Sequence, residues 1–367
     1  MRSEDQPGCY DTPASRWAGV GPYYAMFPVS FATAAVKEHT KVGDFVFDPF
    51  AGRGTSLFAA ATHGRFGLGI EINPVGWIYA KAKLQTAKRR EVERRLKWLG
   101  EESKRYAIPA RQLPEFFEHC FSEDVRKFLL AARDLLDWRR NKIDWTLMAL
   151  LMIDLHGKRN AALSNQMRQT KAMSPQYAID WWKERGFAPP ECDPVEFMLK
   201  KVKWRYAKGF LASGGGQIYL GDCQSVLSRW GQQAPSGRIK LLLTSPPYCG
   251  VTNYFYDQWL RLWLLGGPTH PRFLGDACKR KFGNKQQYVK MLRTVFTKSK
   301  ALLTRNAVVY VRTDAREFTR EATIQSLETA FPRKKVQIER HSKPVFTQTR
   351  LFDSEADTDG EIDLVMW

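Results

Sequence analysis

Val46-Phe47-Asp48-Pro49-Phe50-Ala51-Gly52-Arg53-Gly54-Thr55-Ser56 decides the fold of this 367-residue chain. The apolar residues Phe45 to Phe47 predict a buried strand, and Ser56 to Thr62 predict a helix. Between them Gly52 and Gly54 allow positive φ and a close backbone approach to a ligand. A helix that starts directly after a strand presents unpaired N–H groups at its N-terminus, a ready site for an anion. A second strand, Phe66 to Ile72, follows at once and carries Glu71 near its end. An acid there accepts hydrogen bonds from ribose hydroxyls in dinucleotide-binding folds. Strand, turn, helix and strand in this order open a parallel α/β sheet.

Outward from this turn, a helix from Ser30 to His39 precedes the first strand, and sheet character returns at Gln217–Gly221 and Ile239–Thr244. Tyr288 to Leu303 predicts a helix and Ala307 to Val311 a strand. Val336 to Glu339 and Ile362 to Trp367 predict a closing antiparallel pair. That makes seven strands. Strand signals fade between about 85 and 213, where Glu91–Tyr106, Ser122–Arg140, Trp145–Leu155 and Ala178–Arg185 predict helices. The expected division is therefore 1–84 with 214–367 as one α/β domain, and 85–213 as a helical insertion. Residues 1–22 are expected to be irregular, and Asp353 to Asp359 to form an acidic loop.

A second stretch carries chemistry. Thr244-Ser245-Pro246-Pro247-Tyr248 follows the apolar run Leu241 to Leu243. Each proline fixes φ and lacks an N–H, and each pushes the residue before it toward extended geometry. The result is a rigid turn with outward-pointing carbonyls and an aromatic ring expected to face outward. Rigid acceptors beside a flat ring suit a flipped base.

Together these segments resemble the S-adenosylmethionine-dependent DNA amino-methyltransferases of the N4-cytosine/N6-adenine group. The resemblance implies a class I, Rossmann-like fold with a seven-stranded, mostly parallel sheet, here with a mainly helical insertion. Asp48, Pro49, Phe50, Gly52, Gly54 and Thr55 resemble that family's methionine-binding loop, and Glu71 and Asn73 its ribose-binding segment. Asp222 and Cys223 resemble the segment that meets the cofactor's adenine, and Phe27 the cofactor-side approach. Ser245, Pro246, Pro247 and Tyr248 resemble the catalytic loop. The cofactor implied is S-adenosyl-L-methionine; no metal is required. The largest group of the family places the catalytic loop first, whereas here the cofactor loop comes first, a circular permutation. Ser245 in the first place of the loop favours N4 of cytosine. N6 of adenine, an RNA amine, or a non-catalytic DNA-binding protein are the other readings.

Composition agrees. The chain carries a net charge of +19. Residues 81–213 hold +11 of it and residues 270–351 hold +13, while residues 352–367 carry −6. Two localised basic surfaces suit duplex DNA as partner. Arg159, Asn165, Gln166, Arg168 and Lys171 could read base edges or contact backbone, and Lys279, Arg280 and Lys281 are expected to clamp phosphate. The six scattered cysteines form no Cys-x-x-Cys pair, which argues against a zinc site or a disulfide framework. No apolar run reaches a membrane span and no signal peptide is apparent. The expectation is a cytoplasmic, nucleoid-associated protein, in a prokaryote or phage, with no fused endonuclease and possible service beside a separate restriction endonuclease.

Overall fold

The computed structural model describes residues 10–22, 28–107, 113–209, 215–230, 237–250, 254–271, 284–340 and 360–367. The chain forms two compact units. One comprises Tyr24–Ala80, Ser213–Asn253 and Leu274–Trp367, and the other Met1–Tyr23, Lys81–Ala212 and Tyr254–Phe273.

The first unit is built on a seven-stranded sheet. Its strands are β1 (Phe45–Asp48), β2 (Phe66–Glu71), β3 (Gly216–Leu220), β4 (Ile239–Thr244), β5 (Leu303–Asp314), β6 (Val336–Arg340) and β7 (Glu361–Met366). Their order is β3-β2-β1-β4-β5-β7-β6. The first five positions in that order pair in parallel, and β7 runs antiparallel to both β5 and β6. This is the class I, Rossmann-like arrangement expected from the sequence. The central strands β1 and β4 are mostly apolar because both faces of the sheet are covered there. On one face Phe47, Leu242, Val309 and Leu364 pack with Tyr288, Leu292 and Leu327. On the other, Val46, Leu241, Leu243 and Val365 pack with Ala32, Val36 and Ala59. Helix Thr55–Thr62 sits so close to β2 that a Cβ on Gly67 would lie 2.8 Å from the Leu57 backbone.

The second unit is helical. Helix Lys142–Asp154 is its centre and is buried on all sides from Asp144 to Asp154. Helix Arg89–Ser103 lays Val92, Leu96 and Leu99 inward, and helix Glu123–Leu135 contributes Phe128 and Leu129.

Four differences from the sequence reading have physical causes. Residues 10–22 are not irregular: Thr12 and Ser15 form a reciprocal capping box that starts a helix at Pro13. Trp17 is buried against Tyr206, with ring centres 5.1 Å apart. Residues 254–271 group with the helical unit rather than with the sheet, so the units do not follow the expected 84/85 and 213/214 boundaries alone. Trp263 packs on Phe117 at 4.5 Å, and the buried Arg261 donates to the carbonyls of Met152 and Gln169. Helices Pro194–Tyr206 and Glu317–Ala330 are further elements of the fold. The first was signalled by Asp193, which caps it with hydrogen bonds to Val195 N and Glu196 N, and by Pro194 in its first turn. Finally, β5 extends from Leu303 to Asp314, longer than the apolar core 307–311, because β7 pairs with it as far as Asp314.

Candidate active site

Among the described residues of the sheet unit, four of the singled-out acids and hydroxyls lie at the carboxyl ends of parallel strands. Asp48 ends β1, Glu71 ends β2, Asp222 follows β3, and Ser245 follows β4. β1 has β2 on one side and β4 on the other. The connection direction reverses there, and ligands bind outside the strand ends at such a point.

Asp48 is the hub of this edge. It is buried, and its Oδ1 accepts from Phe50 N at 3.0 Å and from Thr244 Oγ1 at 2.5 Å. Its Oδ2 accepts from the Ser56 hydroxyl. Burial pushes the carboxyl up to about 6, although the Ser56, Thr244 and Phe50 hydrogen bonds pull the other way. One side chain thus fixes the start of the glycine turn, the first turn of the following helix, and the residue directly before Ser245.

Glu71 braces the same turn from β2. Its Oε2 accepts from Gly52 N and its Oε1 from Asn73 N, each at 2.7 Å. Burial raises it to about 7 against those hydrogen bonds, with Asp48 adding to the rise. Gly54 has φ +73°, and a Cβ there would lie 2.6 Å from that of Ala80, so glycine is required on both counts. Helix Thr55–Thr62 receives no side-chain cap. Asn73 is buried; its Oδ1 accepts from Val75 N, while its Nδ2 has no acceptor among the described residues. A buried donor without an acceptor is costly, and one at this strand end suits a ligand hydroxyl.

Pro49 and Thr55 are buried within the turn. Phe50 packs partly against the core beneath it. Asp222 accepts from Ser225 N at 3.1 Å, which makes it the cap of helix Cys223–Trp230. Cys223 is buried in the core. Phe27, like Lys279, Arg280, Lys281 and Asp353 to Asp359, lies outside the described residues.

In the catalytic-loop motif, Ser245 and Pro247 are half-buried and Pro246 is buried. Tyr248 departs from expectation. Its ring does not face outward: it is 6% exposed, and its hydroxyl donates to Glu361 Oε1 at 2.8 Å. The sequence reading missed Glu361 because its partner lies 113 residues away. Cys249 has its thiol raised by burial, the opposite of an activated nucleophile.

In the helical unit the five residues expected to read base edges or contact backbone take different places. Asn165 is buried; its Nδ2 donates to the carbonyls of His119 and Phe187, and its Oδ1 accepts from Gln166 N. Gln166 Oε1 accepts from Arg159 N, Arg159 Nε donates to the carbonyl of Ala188, and Lys171 pairs with Asp257 at 2.9 Å. Arg168 alone of the five is exposed. These side chains tie the stretch to His119, to Phe187 and Ala188 and to Asp257, and satisfy backbone groups that no ladder reaches.

Against known proteins, the DNA methylase family model matches residues 5–77, a span that contains Asp48 to Thr55 and Glu71 to Asn73. Type II methyltransferase M.MjaII of Methanocaldococcus jannaschii is 37% identical over 67 residues, 18% of this chain and 13% of that protein. Type II methyltransferase M.AvaI of a Nostoc species is 22% identical over 268 residues, 69% of this chain and 54% of that protein. The chain thus spans about half the length, or less, of these curated relatives. Among solved structures, the rRNA methyltransferase aviRa from Streptomyces viridochromogenes aligns over 99% of this chain and 91% of its own, at TM-score 0.36 and 12% identity.

Proposed function

The chain is a relative of the DNA amino-methyltransferases, and from that premise we propose that it moves a methyl group from S-adenosylmethionine to the N4 amine of cytosine in duplex DNA. The observation that carries this reading is the 2.5 Å hydrogen bond from Thr244 to Asp48. It fastens the residue before Ser245 to the glycine turn, so the methyl-donor loop and the acceptor loop share one anchor at the switch point of the sheet.

The residues present fit the cofactor. The Gly52–Thr55 turn and the uncapped helix behind it would take its methionine end. Asn73 Nδ2 and Glu71 would hold its ribose, and Asp222 its adenine amine, with Phe50 and Phe27 beside it. When bound, the cofactor supplies an electrophilic methyl group. The Ser245 hydroxyl and the Pro246 carbonyl accept hydrogen bonds from the target amine, draw its lone pair out of conjugation and aim it. A base flipped from the duplex would sit beside Ser245, and the buried Tyr248 ring, anchored through its hydroxyl to Glu361, steadies the Ser245 and Pro246 acceptors rather than offering a free stacking face. Most of the acceleration is positioning. The basic residues of the helical segment and of 270–351 meet phosphate, and a separate restriction endonuclease acting at the same sites fits a modification enzyme. Ser245 in first place supports cytosine over adenine. No helix among the described residues is long and apolar enough to cross a membrane.

Product identification tests the proposal. The purified protein is incubated with unmethylated genomic DNA and labelled S-adenosylmethionine, and the DNA is digested and analysed by nucleoside mass spectrometry. N4-methylcytosine is expected. N6-methyladenine would reverse the choice of base, and cofactor binding without any methylated deoxynucleoside would overturn the DNA reading in favour of an RNA substrate.

A further inference from the structure

The first residue of β7, Glu361, sits at the site-facing edge of the sheet because it pairs with Asp314, the last residue of β5. Three carboxylates gather there. Asp363 is committed to Arg312 and Tyr310: Arg312 Nε and Nη2 reach its two oxygens at 2.6 and 2.8 Å, and the Tyr310 hydroxyl donates at 3.0 Å. Asp314 is committed to Arg316, whose backbone N–H and guanidinium both reach it. Glu361 is the carboxylate that takes the Tyr248 hydroxyl. Arg316, set by Asp314, also points Nη2 at the Cys249 carbonyl at 3.5 Å. The exit of the Ser-Pro-Pro-Tyr loop is therefore gripped at two consecutive residues by the β5–β7 corner.

We propose that Glu361 is a positioning residue for the transfer: through its hydrogen bond to the Tyr248 hydroxyl it fixes the buried ring that ends the Ser245–Tyr248 turn, and with it the Ser245 and Pro246 acceptors. This rests on the reading of Ser245 to Tyr248 as the catalytic loop. A tyrosine side chain turns about two bonds, and the stiff prolines constrain only the backbone ahead of it. Without an anchor at its far end the ring and the Ser245 and Pro246 acceptors ahead of it shift, and small errors of alignment cost rate steeply. Glu361 suits this task because the Arg312 and Asp314 neighbours hold its own strand end in register. Burial raises its carboxyl above the ordinary range, while the Tyr248 hydrogen bond and Arg312 oppose the rise.

A double-mutant cycle tests this. Methyl transfer to genomic DNA is measured for E361A, E361Q, Y248F and the E361A/Y248F pair, with cofactor affinity measured by calorimetry. E361A and Y248F are each expected to lower kcat about tenfold with unchanged cofactor affinity. The pair should be no worse than either alone, and E361Q, whose amide oxygen still accepts, should recover most of the rate. Wild-type rate in E361A, or losses that multiply in the pair, would overturn the proposal. A second readout needs no transfer. In protein labelled with 3-fluorotyrosine, the resonance that vanishes in Y248F belongs to Tyr248. It should shift in E361A and hold its place in E361Q; an unmoved resonance in E361A would overturn the anchor even if wild-type protein methylated nothing. Absence of transfer by wild type with the expected shift would instead count against the function and leave the anchor standing.

Discussion

The glycine turn at Asp48–Thr55 and the stretch Lys158–Lys171 are both dense in polar residues, yet they deploy them in opposite ways. At the turn, the two carboxylates Asp48 and Glu71 spend their oxygens on N–H and O–H groups, and the donor Asn73 Nδ2 remains over. In the stretch, Asn165 spends its whole amide on the carbonyls of His119 and Phe187 and on Gln166 N, and Lys171 meets Asp257. The lesson is that polarity alone does not mark a surface for recognition. At the glycine turn the fold satisfies the backbone and still leaves the Asn73 donor over at a strand end where ligands bind.

Four outcomes would sharpen or break that contrast. The largest is Ser245→Ala, expected to lower turnover about a hundredfold, the scale of losing one aimed hydrogen bond in a transition state. Cofactor affinity should stay within a few-fold; full activity would remove Ser245 from the chemistry.

Asp222→Ala comes next. A cofactor dissociation constant about tenfold weaker, near 1.4 kcal/mol, is expected by calorimetry. An unchanged constant would reduce Asp222 to the cap of its helix.

Asn165→Ala should destabilise the protein by about 1–3 kcal/mol, because two carbonyls and the Gln166 N–H lose a buried partner. Its salt dependence of duplex binding should match wild type. Intact stability with altered sequence preference would restore Asn165 as a base reader.

The fourth outcome is a pH dependence. The folded state holds the Glu71 proton to about 7, above the ordinary 4.5, so it binds protons the unfolded chain releases. Stability from this group is full below pH 4.5 and is lost as pH rises to 7. Glu71→Gln lacks that loss, so its melting temperature relative to wild type should rise between pH 5 and pH 8. A flat difference would mean the ligand-free protein keeps Glu71 ionised throughout.

Much of the sheet was readable in advance. Ile239–Thr244 reads as a strand from its apolar run and is one, and Phe66 and Glu71 bound β2 because a parallel strand buried on both faces leaves little ambiguity. Helix Pro194–Tyr206 carried its Asp-Pro start signal in plain view. Residues 10–22 carried a weaker one, Thr12 with Ser15, whose force comes from burying Trp17. Tyr248 was misjudged for a different reason. Local sequence sets the stiffness of its turn but says nothing of a carboxylate on β7.

The sequence alone determined the order of strands and turns, the glycines a tight turn demands, and the chemical types gathered after β1, β2, β3 and β4. These are local matters, governed by φ preference, apolar run length and side-chain chemistry. Tertiary structure alone decided which groups meet: Thr244 with Asp48 across 196 residues, Tyr248 with Glu361, and residues 254–271 with the helical unit. Hydrogen bonds between distant segments depend on strand order and register, and those are set only when the whole sheet buries its two faces together.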